Sequence, residues 1–265
     1  MASSAATATV RSTRLPLQTL THFETKETSP YGLPIVDDCM QCKLRGTSFF
    51  CSLSAPAMRA LDEIKHTTSY PEGAVVFMEG QAARGVYIVC QGSAKLSTTS
   101  SDGKTFILKI ARAGEALGAH AVMTETPHEV TVETLQPSQL AFIPRRDYLA
   151  FLKEHGDACL QAAQHLSRDC QSAYDVIRSI GLSHSVSEKL ARLLLQWSND
   201  ASRSVNGTLR MTVTLTHEEI AQLLGSSRET VTRLLSDFKK QGVIEQSGAT
   251  LVIRNKPALD KLAGQ

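Results

Sequence analysis

The chain has 265 residues and a mass of 28.8 kDa, a length that suits about two domains. Its formal net charge is +2. No apolar run approaches the roughly 18 residues that span a bilayer, so an integral membrane protein is excluded. The charge is too small to identify a nucleic-acid-binding protein by itself. Because the amino end lacks the apolar core of a secretory signal, we expect a cytoplasmic protein. Its six cysteines should then be thiols or metal ligands rather than disulfides.

Residues 1–36 are rich in Ser and Thr and poor in large apolar side chains. Such a composition buries too little surface to offset the entropy of ordering, so we expect a disordered tail. A cysteine-bearing segment, 37–55, follows it. Met58, Leu61 and Ile64 then fall on one face of a predicted helix over Pro56–Lys65.

From about residue 70 the pattern changes to short strands separated by turns that contain glycine. The strands are predicted at Ala74–Phe77, Val86–Val89, Ala94–Leu96, Phe106–Leu108 and Leu140–Ile143. Many short strands at even spacing, with Gly between them, predict a β-barrel or jelly roll. We assign 56–155 to this domain, which would be the sensor of the protein.

A helix is predicted over Gly156–Ile180, within a segment at 156–182. Its apolar residues recur with alternating gaps of four and three, at Cys159, Ala163, Leu166, Cys170, Ala173, Ile177 and Ile180. A repeat of 3.5 residues is typical of a coiled-coil seam, and it favours the same helix of a second subunit as the partner. The alternative is a helix that lies on its own barrel.

The last segment, 183–265, carries 11 Lys and Arg against 8 Asp and Glu, a charge of +3. An amphipathic helix is predicted over Val186–Trp197, followed by a strand over Arg210–Leu215. Thr216–Glu219 reads as a capping box that starts a helix ending at Gly225. Ser226–Glu229 reads as a second capping box before a helix that ends at Lys240. Two capped helices joined at a glycine predict a helix-turn-helix.

The second of these helices has the composition of a recognition helix. Val231, Leu234, Leu235 and Phe238 form its apolar stripe. The candidate DNA-binding residues lie on the other face: Ser227, Arg228, Glu229, Thr232, Arg233 and Lys239. Arg can bond guanine with two hydrogen bonds and Glu can accept from cytosine. The alternative is an ordinary solvated face with an ion pair between Glu229 and Arg233. A hairpin over Val243–Ile253, with a Ser-Gly turn, would form a wing beside double-stranded DNA.

From about Cys39 onward the sequence resembles the cAMP-receptor-protein/FNR (Crp/Fnr) family of bacterial transcription regulators. Gly225–Leu235 carries the Arg-Glu-Thr-x-x-Arg pattern of that family's recognition helix, and Gly80, Val86–Val89, Gly92 and Gly114 match its β-roll. The resemblance implies an α+β fold with a cyclic-nucleotide-binding-type β-roll, a long dimerisation helix and a C-terminal winged helix-turn-helix. It also implies a homodimer that works with RNA polymerase. Arg228, Glu229 and Arg233 would read the bases, and Arg at 228 resembles the branch that prefers TGTGA half-sites.

The β-roll departs from the members that bind cyclic nucleotides. Those members hold the phosphate with a Gly-Glu-Leu segment and an Arg-Ser pair, and an Arg there neutralises the phosphate. Here Ala119 stands at the Glu position, no Arg lies between Arg112 and Arg145, and Glu129 would repel a phosphate. We therefore expect that cAMP is not the effector.

The cysteines suggest another sensor. Cys39-x2-Cys42-x8-Cys51 resembles the N-terminal cluster of the FNR oxygen sensors, in which such cysteines bind [4Fe–4S]. That family's fourth cysteine position holds Ala141 here, which leaves Cys90, Asp38 or His120 as the fourth ligand. Zinc, redox-active thiols and inert buried cysteines are the alternatives. Cys159 and Cys170 read as small apolar residues of the seam.

The sequence thus favours a dimeric transcription regulator. Because the chain carries none of the common catalytic motifs, we do not expect an enzyme. The other class of function that the residues allow is a redox or electron-transfer metalloprotein using Cys39, Cys42 and Cys51. The recognition helix separates the two classes, because an electron carrier does not need it.

Overall fold

The computed structural model describes residues 28–47, 49–182, 185–200, 204–205 and 208–264. Eight strands build the amino-terminal domain: β1 His66–Tyr70, β2 Val75–Phe77, β3 Gly85–Gln91, β4 Ser93–Thr99, β5 Thr105–Arg112, β6 Ala116–Leu117, β7 Thr131–Thr134 and β8 Ser138–Pro144. They form two four-stranded antiparallel sheets, in the orders β1-β8-β3-β6 and β2-β7-β4-β5. The predicted β-roll is confirmed.

Side chains along β3 point alternately to the two faces of its sheet, and this alternation explains the two cores of the domain. Tyr87 and Val89 point to the space between the two sheets, where they meet Phe77, Val132 and Leu140. Val86, Ile88 and Cys90 point to the opposite face, because successive strand residues face opposite sides. Helices cover that outer face: α1 Ala55–Ile64, α2 Ala119–Thr124, α3 Arg145–Glu154 and α4 Gly156–Leu182. The second core lies between these helices and the sheet.

The long helix α4 uses two different stripes. Ala158, Ala162 and His165 are buried against the β-roll. His165 Nε2 accepts a hydrogen bond from the Ala116 N–H at 3.0 Å, and its Nδ1 lies 3.0 Å from Asp169. Asp169 in turn binds the Lys109 ammonium group of β5 at 2.7 Å. This polar junction fixes one face of α4 to the sensor domain and leaves another face uncovered.

The carboxy-terminal domain has its own core of helices and strands. Its elements are α5 Val186–Asp200, β9 Ser204–Val205, β10 Thr208–Thr212, α6 His217–Leu224, α7 Arg228–Lys240, β11 Ile244–Ser247, β12 Thr250–Ile253 and α8 Lys256–Leu262. The sheet order is β11-β12-β10-β9, and the predicted wing is the β11–β12 hairpin with Gly248 in its turn. Leu190, Leu194, Val231 and Phe238 are among the buried residues that join α5 to α7.

Several boundaries differ from the predictions. The strand predicted over Arg210–Leu215 is β10, which ends at Thr212. Strand β1 was not predicted, because its sequence, His-Thr-Thr-Ser-Tyr, is mostly polar. The predicted tail lies outside the described residues up to residue 27. Its last part, 28–36, contacts the β-roll, since the Val36 N–H donates to Gln139 Oε1 at 3.0 Å and Gln91 Nε2 donates to the Pro34 carbonyl at 2.8 Å. Residues 34 and 36 thus contact the β-roll, and the domain boundary expected at residue 36 stays a prediction.

Candidate DNA-binding surface and sensor site

The first helix of the helix-turn-helix begins and ends where its sequence predicts. The Thr216 hydroxyl accepts from the Glu219 N–H at 3.2 Å, and Glu219 Oε2 accepts from the Thr216 N–H at 2.9 Å. Gly225 ends the helix with a φ of +62°, a conformation that favours glycine. A capping box and a left-handed C-cap thus fix the first and last residues of α6, and the turn at Gly225 leads the chain into the next helix.

The start of α7 corrects a detail of the sequence analysis. The N-cap is Ser227, whose hydroxyl accepts from the Thr230 N–H at 3.2 Å. The predicted second capping box from Ser226 to Glu229 is not formed, because the helix begins one residue later and Thr230 stands at its third position. The shift places Arg228 and Glu229 at the first two helical positions, where the first turn of a recognition helix meets base edges.

All six predicted DNA-binding residues are exposed. Ser227 is the N-cap, and the other five share one face of α7: Arg228, Glu229, Thr232, Arg233 and Lys239. Within the described residues, no ion pair joins Glu229 to Arg233. The exposure of this face fits both a DNA-binding surface and an ordinary solvated helix face, so the assignment of these residues stays a prediction. Hydrogen bonding to its own backbone N–H at the helix start lowers the pKa of Glu229, which keeps it an ionised acceptor.

Two contacts of the helix-turn-helix were missed by the sequence analysis. His217 Nδ1 lies 2.9 Å from Thr232 Oγ1, which ties the start of α6 to the middle of α7. Lys95 of β4 lies 3.0 Å from Glu133 of its own sheet and 3.3 Å from Glu219. Sequence gives no signal for the second contact, because 124 residues separate Lys95 from Glu219. It connects the sensor domain directly to the cap of α6.

The face of α4 that carries the predicted seam is uncovered. Cys159, Ala163, Cys170, Ala173 and Ile177 are exposed, and Leu166 is half-buried at the edge of the core. The side chain of Ile180, the last seam residue, lies outside the described residues. Ile177 is 64% exposed, and nearby Tyr174 is 55% exposed. Exposed apolar stripes of this length are typical of surfaces that a partner covers.

The β-roll region expected near a nucleotide phosphate contains His128, Glu129 and Ala119, and the nearby Arg145 guanidinium is paired with Glu125 at 3.1 Å. The His128 ring is buried and stacks on Phe77, with ring centroids 3.7 Å apart. Burial lowers the pKa of His128, so its ring is neutral at physiological pH. Glu129 pairs with His120 in this region, and Ala119 is the first residue of α2.

The predicted metal-binding cysteines come together with a fourth. Cys39, Cys42, Cys51 and Cys90 all line one narrow cavity on the outer face of β3, beside Ala141, Arg45 and Lys65. All six cysteines of the chain are described and none forms a disulfide. As the structure stands, no three His, Cys, Asp or Glu side chains of the described residues are grouped closely enough to hold a metal ion.

The other two candidates for a fourth ligand lie elsewhere. Asp38 Oδ1 accepts from the Met40 N–H at 2.7 Å, and His120, on α2, pairs with Glu129. Burial raises the pKa of Cys90 to about 12 and also raises the pKa of Cys39, although Lys65 opposes the shift at Cys39. Neither thiol is therefore a reactive thiolate at neutral pH, which counts against simple thiol redox chemistry there.

Comparisons with known proteins match both domains. Residues 67–155 match the cyclic nucleotide-binding domain, and residues 188–262 match the Crp-like helix-turn-helix domain. The CRP-like cAMP-activated global transcriptional regulator of Mycobacterium tuberculosis is 29% identical over 224 residues, covering 83% of this chain and 98% of the relative.

Solved structures share the fold. FixK2 from Bradyrhizobium japonicum superposes with a TM-score of 0.66 at 22% identity, over 75% of this chain and 97% of FixK2. A CooA variant from Carboxydothermus hydrogenoformans gives 0.67 at 22% identity, over 76% and 88% of the two chains.

A β-roll joined by a long helix to a winged helix-turn-helix, with an exposed basic and acidic recognition face, defines a DNA-binding transcription regulator. Its two domains match those of the Crp/Fnr regulators, and the chain is similar to members of that family along most of its length. Its relatives are transcription regulators rather than enzymes. In the described part of the chain, no helix is long and apolar enough to cross a membrane.

Proposed function

We propose that this regulator acts as a homodimer on palindromic operators whose half-sites are TGTGA-like. The observation that carries the proposal is the exposed face of α7, on which Arg228, Glu229 and Arg233 occupy the first two helical turns. Arg233 bonded to guanine, with Glu229 accepting from the paired cytosine, gives each half-site a G·C core. Arg228 adds a second guanine. The Lys239 side chain, in the last turn, suits a phosphate contact.

The dimer follows from the uncovered stripe of α4. A parallel pair of these helices buries the seam residues of both chains against each other, as in a two-stranded coiled coil. Two-fold symmetry then places the two α7 helices in successive major grooves, roughly one helical turn apart, about 34–36 Å. RNA polymerase is the partner expected for a regulator of this family.

The effector that we propose is not cAMP, although the relative from Mycobacterium tuberculosis is cAMP-activated. A cyclic phosphate needs a positive group beside it, and the region offers the neutral His128 ring and the Glu129 carboxylate. The sensor proposed in its place is the cysteine-lined cavity, through a [4Fe–4S] cluster or zinc held by Cys39, Cys42 and Cys51. Thiolates are the ligands that both centres prefer.

The test is selection from a random DNA pool with the full-length protein, followed by sequencing. The expected product is a pseudo-palindrome with TGTGA-like halves, bound by a species that sediments as a dimer. Enrichment of no sequence, under both aerobic and anaerobic conditions, would contradict the proposal. Enrichment of TTGAT-like halves would keep the regulator and overturn the role given to Arg228.

A further inference from the structure

A cavity of about 690 Å³ lies between the sensor domain and the carboxy-terminal domain. Its walls are β5, the second half of α4, α5, and the end of α6 at Leu223 and Leu224. It shares no residue with the cysteine-lined cavity or with the core between the two sheets of the β-roll. Pockets that bind small molecules usually measure about 300–1,000 Å³, so this space is large enough for a ligand.

Cationic side chains predominate on the walls of this cavity. The acidic side chains that line it are Glu115 and Asp175, and the cationic ones are Lys109, Arg112, Arg168, Arg178, Lys189 and Arg192. The whole chain has a net charge of only +2, so the excess is local. Like charges around one space repel each other, and a bound anion removes that repulsion. The cavity therefore favours a ligand with several negative charges.

Two of the six cationic side chains, Lys109 and Arg192, are held in ion pairs with neighbouring carboxylates. Arg178 and Lys189 take part in no ion pair among the residues that the structure describes. Arg178 is exposed near the end of α4, and Lys189 is half-buried near the start of α5. They lie on either side of the connection between the two helices. An anion held by both side chains therefore joins α4 to α5.

The same cavity has an aromatic and aliphatic wall. Trp197, the single Trp of the chain, is half-buried near the end of α5 and lines the cavity together with Phe106 of β5 and Leu193. Lys189, Leu193 and Trp197 are four residues apart on one face of α5, which separates the ammonium group from the indole by about 12 Å along the helix. A ligand that reaches both is elongated, with its charge at one end and a flat apolar ring at the other.

From this arrangement we infer that the cavity between the domains binds a nucleoside di- or triphosphate, with its phosphates at Arg178 and Lys189 and its base against Trp197. The inference goes beyond the proposed function and rests neither on the operator nor on the cysteines. Because the walls come from both domains, an occupant that contacts both favours one arrangement of them over others. The helix-turn-helix is reached directly, since α6 forms part of the wall.

The test is a titration of the full-length protein with ADP, followed by calorimetry and by the fluorescence of Trp197, excited at the red edge of its absorption where adenine is transparent. Since the chain has a single Trp, the signal reports on this cavity. We expect a micromolar Kd that rises with salt. Pyrophosphate lacks the ring and adenosine lacks the charge, so each should bind at least about tenfold more weakly than ADP.

Two variants place the ligand. Arg178→Gln and Lys189→Gln each remove one cationic side chain that is not in an ion pair, and each should weaken ADP binding by about tenfold or more. Lys153→Gln is the matched control, because it removes the same charge from an exposed Lys of α3 outside the cavity, and it should bind as wild type does. Urea titration checks the folding of every variant, and the use of two separate variants keeps the test valid if one is unstable.

Three results would overturn the inference. The first is a wild type that does not bind ADP, and the second is wild-type affinity in both folded variants. The third is pyrophosphate binding as tight as that of ADP, which would remove the nucleoside from the assignment. The titrations contain no DNA, so their failure is distinct from a failure of the proposed operator recognition.

Discussion

Replacing Arg228 by Val removes the side chain that we assign to the outer guanine of each half-site. Arg228 is the first residue of α7 and is exposed, and the helix is capped by the hydroxyl of Ser227 rather than by Arg228. The free energy of unfolding should therefore change by no more than about 0.5 kcal/mol. A two-hydrogen-bond contact from Arg to guanine contributes about 1–3 kcal/mol of discrimination. Both subunits of the dimer carry the change, so the loss is about 2–6 kcal/mol for the operator, which should weaken binding by about 30- to 25,000-fold.

The assay is fluorescence anisotropy at fixed salt, with the selected operator and with an operator in which the outer guanine is changed. Arg228→Val should bind the two operators equally, whereas wild type should prefer the first. Lys239→Ala is the control, because we assign this exposed Lys in the last turn to a phosphate contact. It should weaken both operators alike and lower the slope of log K against log salt by about one per subunit, about two for the dimer. If Arg228→Val keeps the wild-type preference, Arg228 reads no base, and our reading of α7 is wrong.

Four further predictions concern assembly, the effector, the cap of α6 and the ionisation of Glu219. The double variant Leu166→Glu, Ile177→Glu places charges in the seam and should sediment as a monomer. The control Gln164→Glu lies off the seam and should stay dimeric. A double variant that stays dimeric would refute the assignment of the seam. Calorimetry should detect no binding of cAMP or cGMP at physiological concentrations, and a micromolar Kd for either would contradict the argument from charge. Thr216→Ala should lower the free energy of unfolding by about 1 kcal/mol in urea titration, and an unchanged midpoint would remove the cap's role. Burial raises the pKa of Glu219, but Thr216 and Lys95 outweigh it and the net pKa lies below 4.5. The stabilisation that the ionised Glu219 carboxylate provides should thus be present above pH 4.5 and lost as the pH falls below it. The free energies of unfolding of wild type and Glu219→Gln should therefore differ at pH 7 and converge in acid.

The sequence by itself determined the helix-turn-helix, because its signals are local. Thr216, Glu219 and Gly225 act within one or two turns of α6, and the apolar stripe of α7 repeats at the helical period. The seam of α4 is equally local, since its period can be counted along the chain. Strands such as β3 and β8 were predictable from their apolar residues, whereas the polar β1 was not, because it is held in place by its pairing with β8.

Only the tertiary structure decided which residues surround the cysteines. Cys39 and Cys90 are 51 positions apart in the sequence, and Cys90, Asp38 and His120 are equally plausible ligands until the faces of β3 are known. The pairing of β3 with β8 turns Cys90 toward the same cavity as Cys51, while His120 lies on α2 and pairs with Glu129. Lys95 meets Glu219 across the two domains for the same reason. Such contacts depend on how sheets and helices pack over long sequence separations, and no periodicity in the sequence records them.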